Sequence, residues 1–221
     1  MNYSKFSIVI VCLGYAKQLE ACLWHWRNCS YPNFQIVVAT SRKDTPTLEV
    51  VQQFQKDLKL TYVLVEEHRK GQAISQAVNF LKDPEWIVLS DADVLFPENA
   101  LNCLNLSVIE NPRGVFSAKR EDLVDIDLFY QEYQKSTPDW AWRSLKRKIL
   151  SPSPFMGWFL TFPADLPVDY QVKHQGYDSV DWKIYGQLKS LGLKEELIYF
   201  ENPPLHLYHG EKGKNWKGVE L

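Results

Sequence analysis

The sequence predicts an α/β protein with a mixed, mainly parallel sheet and helices on both faces. Two observations carry this prediction. Strand-like and helix-like stretches alternate through the first half of the chain, which is typical of βαβ units. The first strand-like stretch, residues 6–12, is an apolar run rich in Ile and Val, as expected of a strand that is buried on both faces.

The first half contains four predicted strands with helices between them. The strands are expected at residues 6–12, 34–39, 60–65 and 86–90. Apolar residues at helical spacing between Leu19 and Trp26 predict the first helix. Thr45 and Pro46 open the second helix, since proline suits a first turn, and the third is expected at residues 71–81.

The second half is less regular. Residues 122–154 are charged and aromatic, and we expect them to form helices or a long excursion over the sheet edge. Strands are expected at residues 155–162 and 196–200, with a helix at residues 179–191 that ends at Gly192. We expect the whole chain, residues 1–221, to form a single domain.

Composition excludes several classes of protein. The net charge of −2 gives no reason to expect a nucleic-acid partner. No apolar run approaches the roughly 20 residues of a membrane span, so any membrane contact is expected to be peripheral. The four cysteines lack the spacing of metal or redox motifs. We therefore expect reduced thiols in a cytoplasmic protein, located at most at the inner face of the membrane.

The most informative motif is Asp91-Ala92-Asp93, directly after the fourth predicted strand. Ligands of parallel α/β sheets bind beyond the carboxyl ends of the strands, so these carboxylates are expected to face a ligand. Burying them without a cation is costly. Mg²⁺ or Mn²⁺ shared with a diphosphate would remove that cost. The alternative is a surface turn with a helix-capping aspartate.

His206 and His209 are a second candidate site. Two imidazoles three residues apart, on a helical turn or in a tight loop, can face one ion. Because the carboxylates of Asp91 and Asp93 need further ligands, we expect the histidines to bind the same metal. The alternative is a pair of partly buried histidines that hydrogen-bond the backbone.

Charged residues also lie at two predicted helix starts. Asp181, with Asp178 as the alternative, lies near the first turn of the helix at residues 179–191. The helix dipole there favours the ionised carboxylate that a general base requires, although a capping acid would lie there too. Arg69 and Lys70 precede a glycine and form a candidate anion site with the first backbone amides of the helix.

These elements, in this order, resemble the family 2 glycosyltransferases of the GT-A fold. Residues 7–11 resemble the family's opening strand, residues 70–73 its basic helix start, and residues 87–93 its apolar strand and Asp-x-Asp motif. The resemblance implies a Rossmann-like GT-A fold. It also implies a nucleotide-sugar-binding half at residues 1–120 and an acceptor-binding, catalytic-base half at residues 121–221.

The second half resembles the galactosyltransferase-type branch of these enzymes. Its Gly-Trp-Gly-x-Glu-Asp segment corresponds without gaps to residues 176–181, although Val180 replaces the glutamate. This correspondence implies that Asp181 is the catalytic base, or Asp178 if the register shifts. It also implies that His206 and His209 are paired metal ligands.

The loop after the second strand departs from the family pattern. The family usually has Asp-Asp-Gly-Ser-x-Asp there, whereas residues 39–44 leave only Asp44 of the acids that contact uracil or ribose. Tyr15, after the first strand, is a candidate to stack on the base. Trp158 and Trp182 are candidate sugar platforms, because tryptophan stacks well on sugar rings; core packing is the alternative for both.

The resemblance implies an inverting, metal-dependent sugar transfer from a nucleotide sugar, with a UDP-sugar favoured. The acceptor is expected to be a hydroxyl of a glycan, polysaccharide or lipid-linked sugar. Asp93, His206 and His209 would hold Mn²⁺ or Mg²⁺, and Asp91 would hold the ribose or assist with the metal. One alternative is a catalytically silent nucleotide- or sugar-binding module of the same fold. Another is a sugar-phosphate nucleotidyltransferase, which would need a glycine-rich loop that residues 12–16 do not supply.

Overall fold

A computed structural model describes residues 3–66, 69–148, 159–171 and 178–207, without the side chains of residues 178 and 179. These ranges contain two sheets and seven α-helices. None of the helices within them is long and apolar enough to cross a membrane.

The larger sheet has seven strands. In spatial order they are β10 (Lys194–Ile198), β6 (Gly114–Ala118), β9 (Leu160–Pro163), β4 (Trp86–Asp91), β1 (Phe6–Val11), β2 (Phe34–Ser41) and β3 (Leu60–Val65). The strands pair in parallel, except that β9 is antiparallel to both β4 and β6. The prediction of a mixed, mainly parallel sheet is therefore confirmed.

Helices cover both faces of this sheet, as predicted. One face packs against α1 (Ala16–Arg27), α2 (Thr45–Phe54) and α4 (Ala100–Glu110), and the other against α3 (Lys70–Asn79) and α7 (Asp178–Ser190). The side chains of β1 alternate between the two cores, with Ile8 and Ile10 in one and Val9 in the other. Because successive side chains of a strand point to opposite faces, a strand that contributes to two cores has apolar residues on both faces.

The smaller sheet was not predicted. Its strands are, in spatial order, β5 (Val94–Leu95), β11 (Leu205–Leu207), β7 (Glu121–Leu123) and β8 (Arg147–Lys148). The chain between β7 and β8 forms α5 (Ile126–Glu132), a 3₁₀ turn (Tyr133–Lys135) and α6 (Trp140–Ser144). Strands of two or three residues are too short to show a hydrophobic period, so their pairing could not be read from sequence.

Three expectations for the second half require correction. His206 lies in strand β11, not on a helical turn or in a tight loop. The late strand is Lys194–Ile198 instead of residues 196–200, because Tyr199 is 80% exposed beyond its end. The strand expected at residues 155–162 is described only as Leu160–Pro163, since residues 151–158 lie outside the described ranges.

Candidate active site

Asp91 and Asp93 lie at the carboxyl end of β4, in the middle of the larger sheet. Asp91 is the last residue of β4 and is paired with Val11 of β1. The side chain of Asp91 is 25% exposed and that of Asp93 is 15% exposed. Both carboxylates are therefore accessible at the edge where ligands of parallel α/β sheets bind.

Lys70, the first residue of α3, joins the first of these aspartates to the candidate base. Its ammonium lies 3.1 Å from Oδ1 of Asp91 and 2.8 Å from Oδ2 of Asp181. The side chains of Lys70 and Asp181 are only 5% and 6% exposed. A buried charge is tolerated when it is paired, so the ammonium of Lys70 and the carboxylate of Asp181 compensate each other's burial.

This geometry changes the interpretation of the predicted anion site. Lys70 is engaged by two carboxylates, whereas the neighbouring Arg69 is exposed. Asp181, which is buried in α7, was predicted near the first turn of a helix and lies there. The structure thus brings Lys70, Asp91 and Asp181 together, although they come from three separate elements.

His206 of β11 connects the smaller sheet to the aspartate motif. It is paired with Val94 of β5 and with Asp122 of β7. The backbone amide of Leu207 donates a 2.8 Å hydrogen bond to the carbonyl of Asp93. The imidazole then lies between two carboxylates, with Nδ1 at 3.0 Å from Oδ1 of Asp122 and Nε2 at 3.3 Å from Oδ2 of Asp93.

The charge of His206 follows from these contacts. Burial opposes protonation of the ring, but hydrogen bonds to Asp122 and Asp93 outweigh burial and raise its pKa to about 9. Without a metal ion, the ring is therefore positively charged at neutral pH and balances part of the charge of the two carboxylates.

Asp93 and His206 are suited to binding a divalent cation. Adjacent ligand atoms of an octahedral ion with bonds of about 2.1 Å lie roughly 3 Å apart, close to the 3.3 Å between Oδ2 of Asp93 and Nε2 of His206. Among the described residues, no group of three or more His, Cys, Asp or Glu side chains is arranged to hold a metal ion. The described part of the chain therefore offers a partial site, which fits an ion that also binds a diphosphate.

Asp44 has a structural position in the loop after β2. It caps α2: Oδ1 accepts a hydrogen bond from the amide of Thr47 at 3.3 Å, and Oδ2 accepts one from the amide of Gly14 at 2.7 Å. It thereby ties this loop to the one that follows β1. Tyr15, beside Gly14, is half-buried, and burial followed by the charge of Asp93 raises the pKa of its phenol.

The remaining predicted residues are Trp158, His209, Asp178 and Trp182. Trp158, His209 and the side chain of Asp178 lie outside the described part of the structure. Trp182 is 45% exposed, whereas its neighbour Asp181 is buried, so the two side chains occupy different sides of α7. Asp122 was not predicted, because a single acid in a three-residue strand has no distinguishing pattern.

The chain belongs to glycosyl transferase family 2, whose family model matches residues 7–159. The matched segment contains Lys70, Asp91, Asp93 and Asp122, while Asp181 and His206 follow it. No curated protein sequence matches the chain.

Two solved structures have a similar fold. TarS (residues 1–349) from S. aureus is 14% identical, with a TM-score of 0.67 over 92% of this chain and 60% of that one. The mannosyltransferase PcManGT from Pyrobaculum calidifontis, solved with GDP-Man and Mn²⁺, is 18% identical, with a TM-score of 0.65 over 97% of this chain and 59% of that one. TarS has also been solved with UDP and with UDP-GlcNAc. This chain thus spans about 60% of TarS residues 1–349 and of PcManGT, and 37% of the longer TarS chain.

Proposed function

We propose that this chain transfers a sugar from a nucleotide diphosphate sugar to a hydroxyl of a glycan, polysaccharide or lipid-linked acceptor. The observation that carries the proposal is the meeting of two polar clusters at the aspartate motif. Lys70 links Asp91 to Asp181, and His206 contacts Asp93. Membership of glycosyl transferase family 2 supports the same chemistry.

The two halves of the chain are proposed to have different roles. Residues 1–120 would bind the nucleotide sugar, and residues 121–221 would supply the base and bind the acceptor, as in the galactosyltransferase-type branch. Support comes from the contacts between the halves, because Lys70 binds Asp181 and Asp93 contacts His206. Neither half completes the proposed site alone.

Mn²⁺ or Mg²⁺ would be held by Asp93 and His206, with Asp91 nearby and His209 as a further proposed ligand. When bound, the cation neutralises charge that develops on the leaving diphosphate. Carboxylate and imidazole are suitable ligands for Mn²⁺. PcManGT, which is similar in fold, was solved with this ion.

Asp181 is the proposed general base, and Asp178 is the alternative. Its carboxylate would take the proton from the acceptor hydroxyl while that oxygen forms a bond to the anomeric carbon. The bond from this carbon to the diphosphate oxygen breaks at the same time, and its electron pair leaves with the nucleotide. Lys70 would compensate the charge of Asp181 and hold its carboxylate in position.

A UDP-sugar is the proposed donor. Tyr15, half-buried beside the aspartate motif, is the proposed stacking residue for the base, and Trp158 and Trp182 are the proposed sugar platforms. Asp44 accepts hydrogen bonds from two backbone amides, which leaves it poorly suited to contact uridine as well. The second candidate function is a catalytically silent nucleotide- or sugar-binding module, because residues 39–43 lack the acids that the family usually has in this loop.

The test combines nucleotide binding with turnover. The purified protein with Mn²⁺ is assayed for thermal stabilisation by UDP and GDP and for hydrolysis or transfer with a panel of UDP- and GDP-sugars. We expect Asp181→Asn to retain nucleotide binding and to lower turnover by about 10²–10⁴-fold, the usual contribution of a general base. Asp165→Asn is the matched control, because Asp165 is 69% exposed and pairs with Arg113 at the surface.

Each outcome separates the candidate functions. Turnover that falls in Asp181→Asn and not in Asp165→Asn would support the enzyme and the assigned base. Nucleotide binding without turnover on any donor would support the silent module. Absence of binding to any nucleotide diphosphate would contradict both the transferase and a nucleotide-binding module.

A further inference from the structure

The contact between Asp122 and His206 carries an inference that rests on the proposed function. We propose that Asp122 positions His206 for metal binding by holding a proton on Nδ1, so that the Nε2 lone pair is available to a divalent cation beside Asp93. Asp122 is thus a positioning residue that acts through the imidazole, not a metal ligand itself.

The backbone determines this arrangement. β7 and β11 are parallel neighbours with Asp122 directly beside His206, and directly paired residues project their side chains to the same face of a sheet. β5, on the other side of β11, brings the adjoining Asp93 close to the second ring nitrogen. The imidazole therefore has a carboxylate at each nitrogen, and only one of them belongs to the aspartate motif.

Burial makes the contact with Asp122 specific. The side chain of Asp122 is 6% exposed and that of His206 is 11% exposed. A carboxylate can only accept hydrogen bonds, so the 3.0 Å contact requires a proton on Nδ1. By the same argument Nε2 carries a proton beside Asp93 in the metal-free protein. A bound cation would displace that proton and leave a neutral imidazole with its lone pair on Nε2. Carboxylate–histidine pairs of this kind orient the ligands of many metal sites.

A purely structural ion pair is the competing explanation for the same contact. The two explanations differ in what Asp122 does to metal affinity. A structural pair would change the stability of the protein and leave the intrinsic affinity for a cation unaltered. A positioning residue changes the affinity of the folded protein, since losing such a partner typically costs 10–100-fold in metal binding.

The experiment is a calorimetric titration of the protein with Mn²⁺, with and without UDP. We expect Asp122→Asn to raise the Kd for Mn²⁺ by about 10–100-fold, because the amide can donate to Nδ1 and reverse the tautomer. Asp125→Asn is the matched control: it removes the same charge three residues away, where the carboxylate accepts a hydrogen bond from the Lys146 amide. Its Kd should stay close to that of the wild type.

A double variant tests whether Asp122 acts through the histidine. His206→Gln should weaken Mn²⁺ binding, and adding Asp122→Asn to it should cause no further loss. Independent, multiplicative losses would overturn the inference, as would an unchanged Kd in Asp122→Asn. Failure of the wild type to bind Mn²⁺ with any nucleotide diphosphate would instead overturn the proposed metal site itself.

The protonation of the two ring nitrogens of His206 can also be measured in the wild-type protein, without a variant that could fail to fold. The wild-type protein, labelled with ¹⁵N and saturated with diamagnetic Zn²⁺, should show a protonated Nδ1 and an unprotonated, metal-bound Nε2 on His206. The opposite tautomer, or a ring whose spectrum does not respond to Zn²⁺, would overturn the role of Asp122.

Discussion

Replacing Lys70 by methionine should lower the free energy of unfolding far more than the loss of a surface ion pair. Methionine keeps much of the side-chain volume but removes the ammonium that lies 2.8 Å from Asp181 and 3.1 Å from Asp91. Asp181 would then be a buried charge without its cation, a change that costs about 3–5 kcal/mol. The side chain of Asp91 is 25% exposed, so water compensates much of its charge. We therefore expect Lys70→Met to lower the free energy of unfolding by about 3 kcal/mol, the lower end of this range.

Urea unfolding at pH 7 measures this loss, with Arg113→Met as the matched control. The ion pair of Arg113 with Asp165 has the same 2.8 Å distance, but its side chains are 60% and 69% exposed. An exposed pair contributes about 0–1 kcal/mol. In a domain of this size, 3 kcal/mol corresponds to a fall in Tm of about 6–12 °C.

Two results decide whether the reasoning about Lys70 holds. The double variant Lys70→Met/Asp181→Asn should recover part of the lost stability, because the buried uncompensated charge is gone. Equal, small losses in Lys70→Met and Arg113→Met would refute the argument that burial makes the Lys70 ion pairs important.

Three other predictions concern stability. Burial lowers the pKa of His25 from 6.5 to about 4. The contribution of the neutral ring to the free energy of unfolding is therefore complete above pH 6.5, and about 3 kcal/mol of it is lost as the pH falls to 4. Between pH 6.5 and 4, the free energy of unfolding in urea should depend less on pH in His25→Phe than in the wild type. The same pH dependence in both proteins would contradict the prediction. Gly114→Ala should lower the free energy of unfolding by about 1–3 kcal/mol through overpacking. The added Cβ would lie 2.5 Å from side-chain atoms of Asn111 and Phe116. An unchanged Tm would show that these side chains move aside. Asp44→Ala should lose about 1–2 kcal/mol in urea unfolding because it removes a helix cap, whereas weaker UDP binding at unchanged stability would identify Asp44 as a nucleotide ligand.

Local patterns were enough to predict β1 to β4 of the larger sheet, whereas β6 was not predicted. β1 to β4 are mostly apolar, and the helices between them have apolar stripes, so each element could be recognised from its own residues. The position of Asp91 and Asp93 followed as well, because a parallel strand brings its carboxyl end to the binding edge of the sheet. The candidate base was found by its place at a helix start.

The contacts within the candidate site could not be predicted in the same way. Lys70 contacts Asp181, which lies 111 residues further along the chain, and no local pattern predicts such a contact. His206 was expected on a turn, but it lies in a three-residue strand whose pairing aligns it with Asp122. No local period distinguishes such a strand from a loop.

The sequence by itself determined the α/β architecture and the end of the sheet where the acidic motif lies. Both follow from hydrophobic periodicity, which is a property of neighbouring residues. Only the tertiary structure decided which charges meet, namely Lys70 with two carboxylates and His206 between two others. Strand pairing and the need of each buried charge for a counter-charge determine these contacts. Both involve residues that are far apart in the chain.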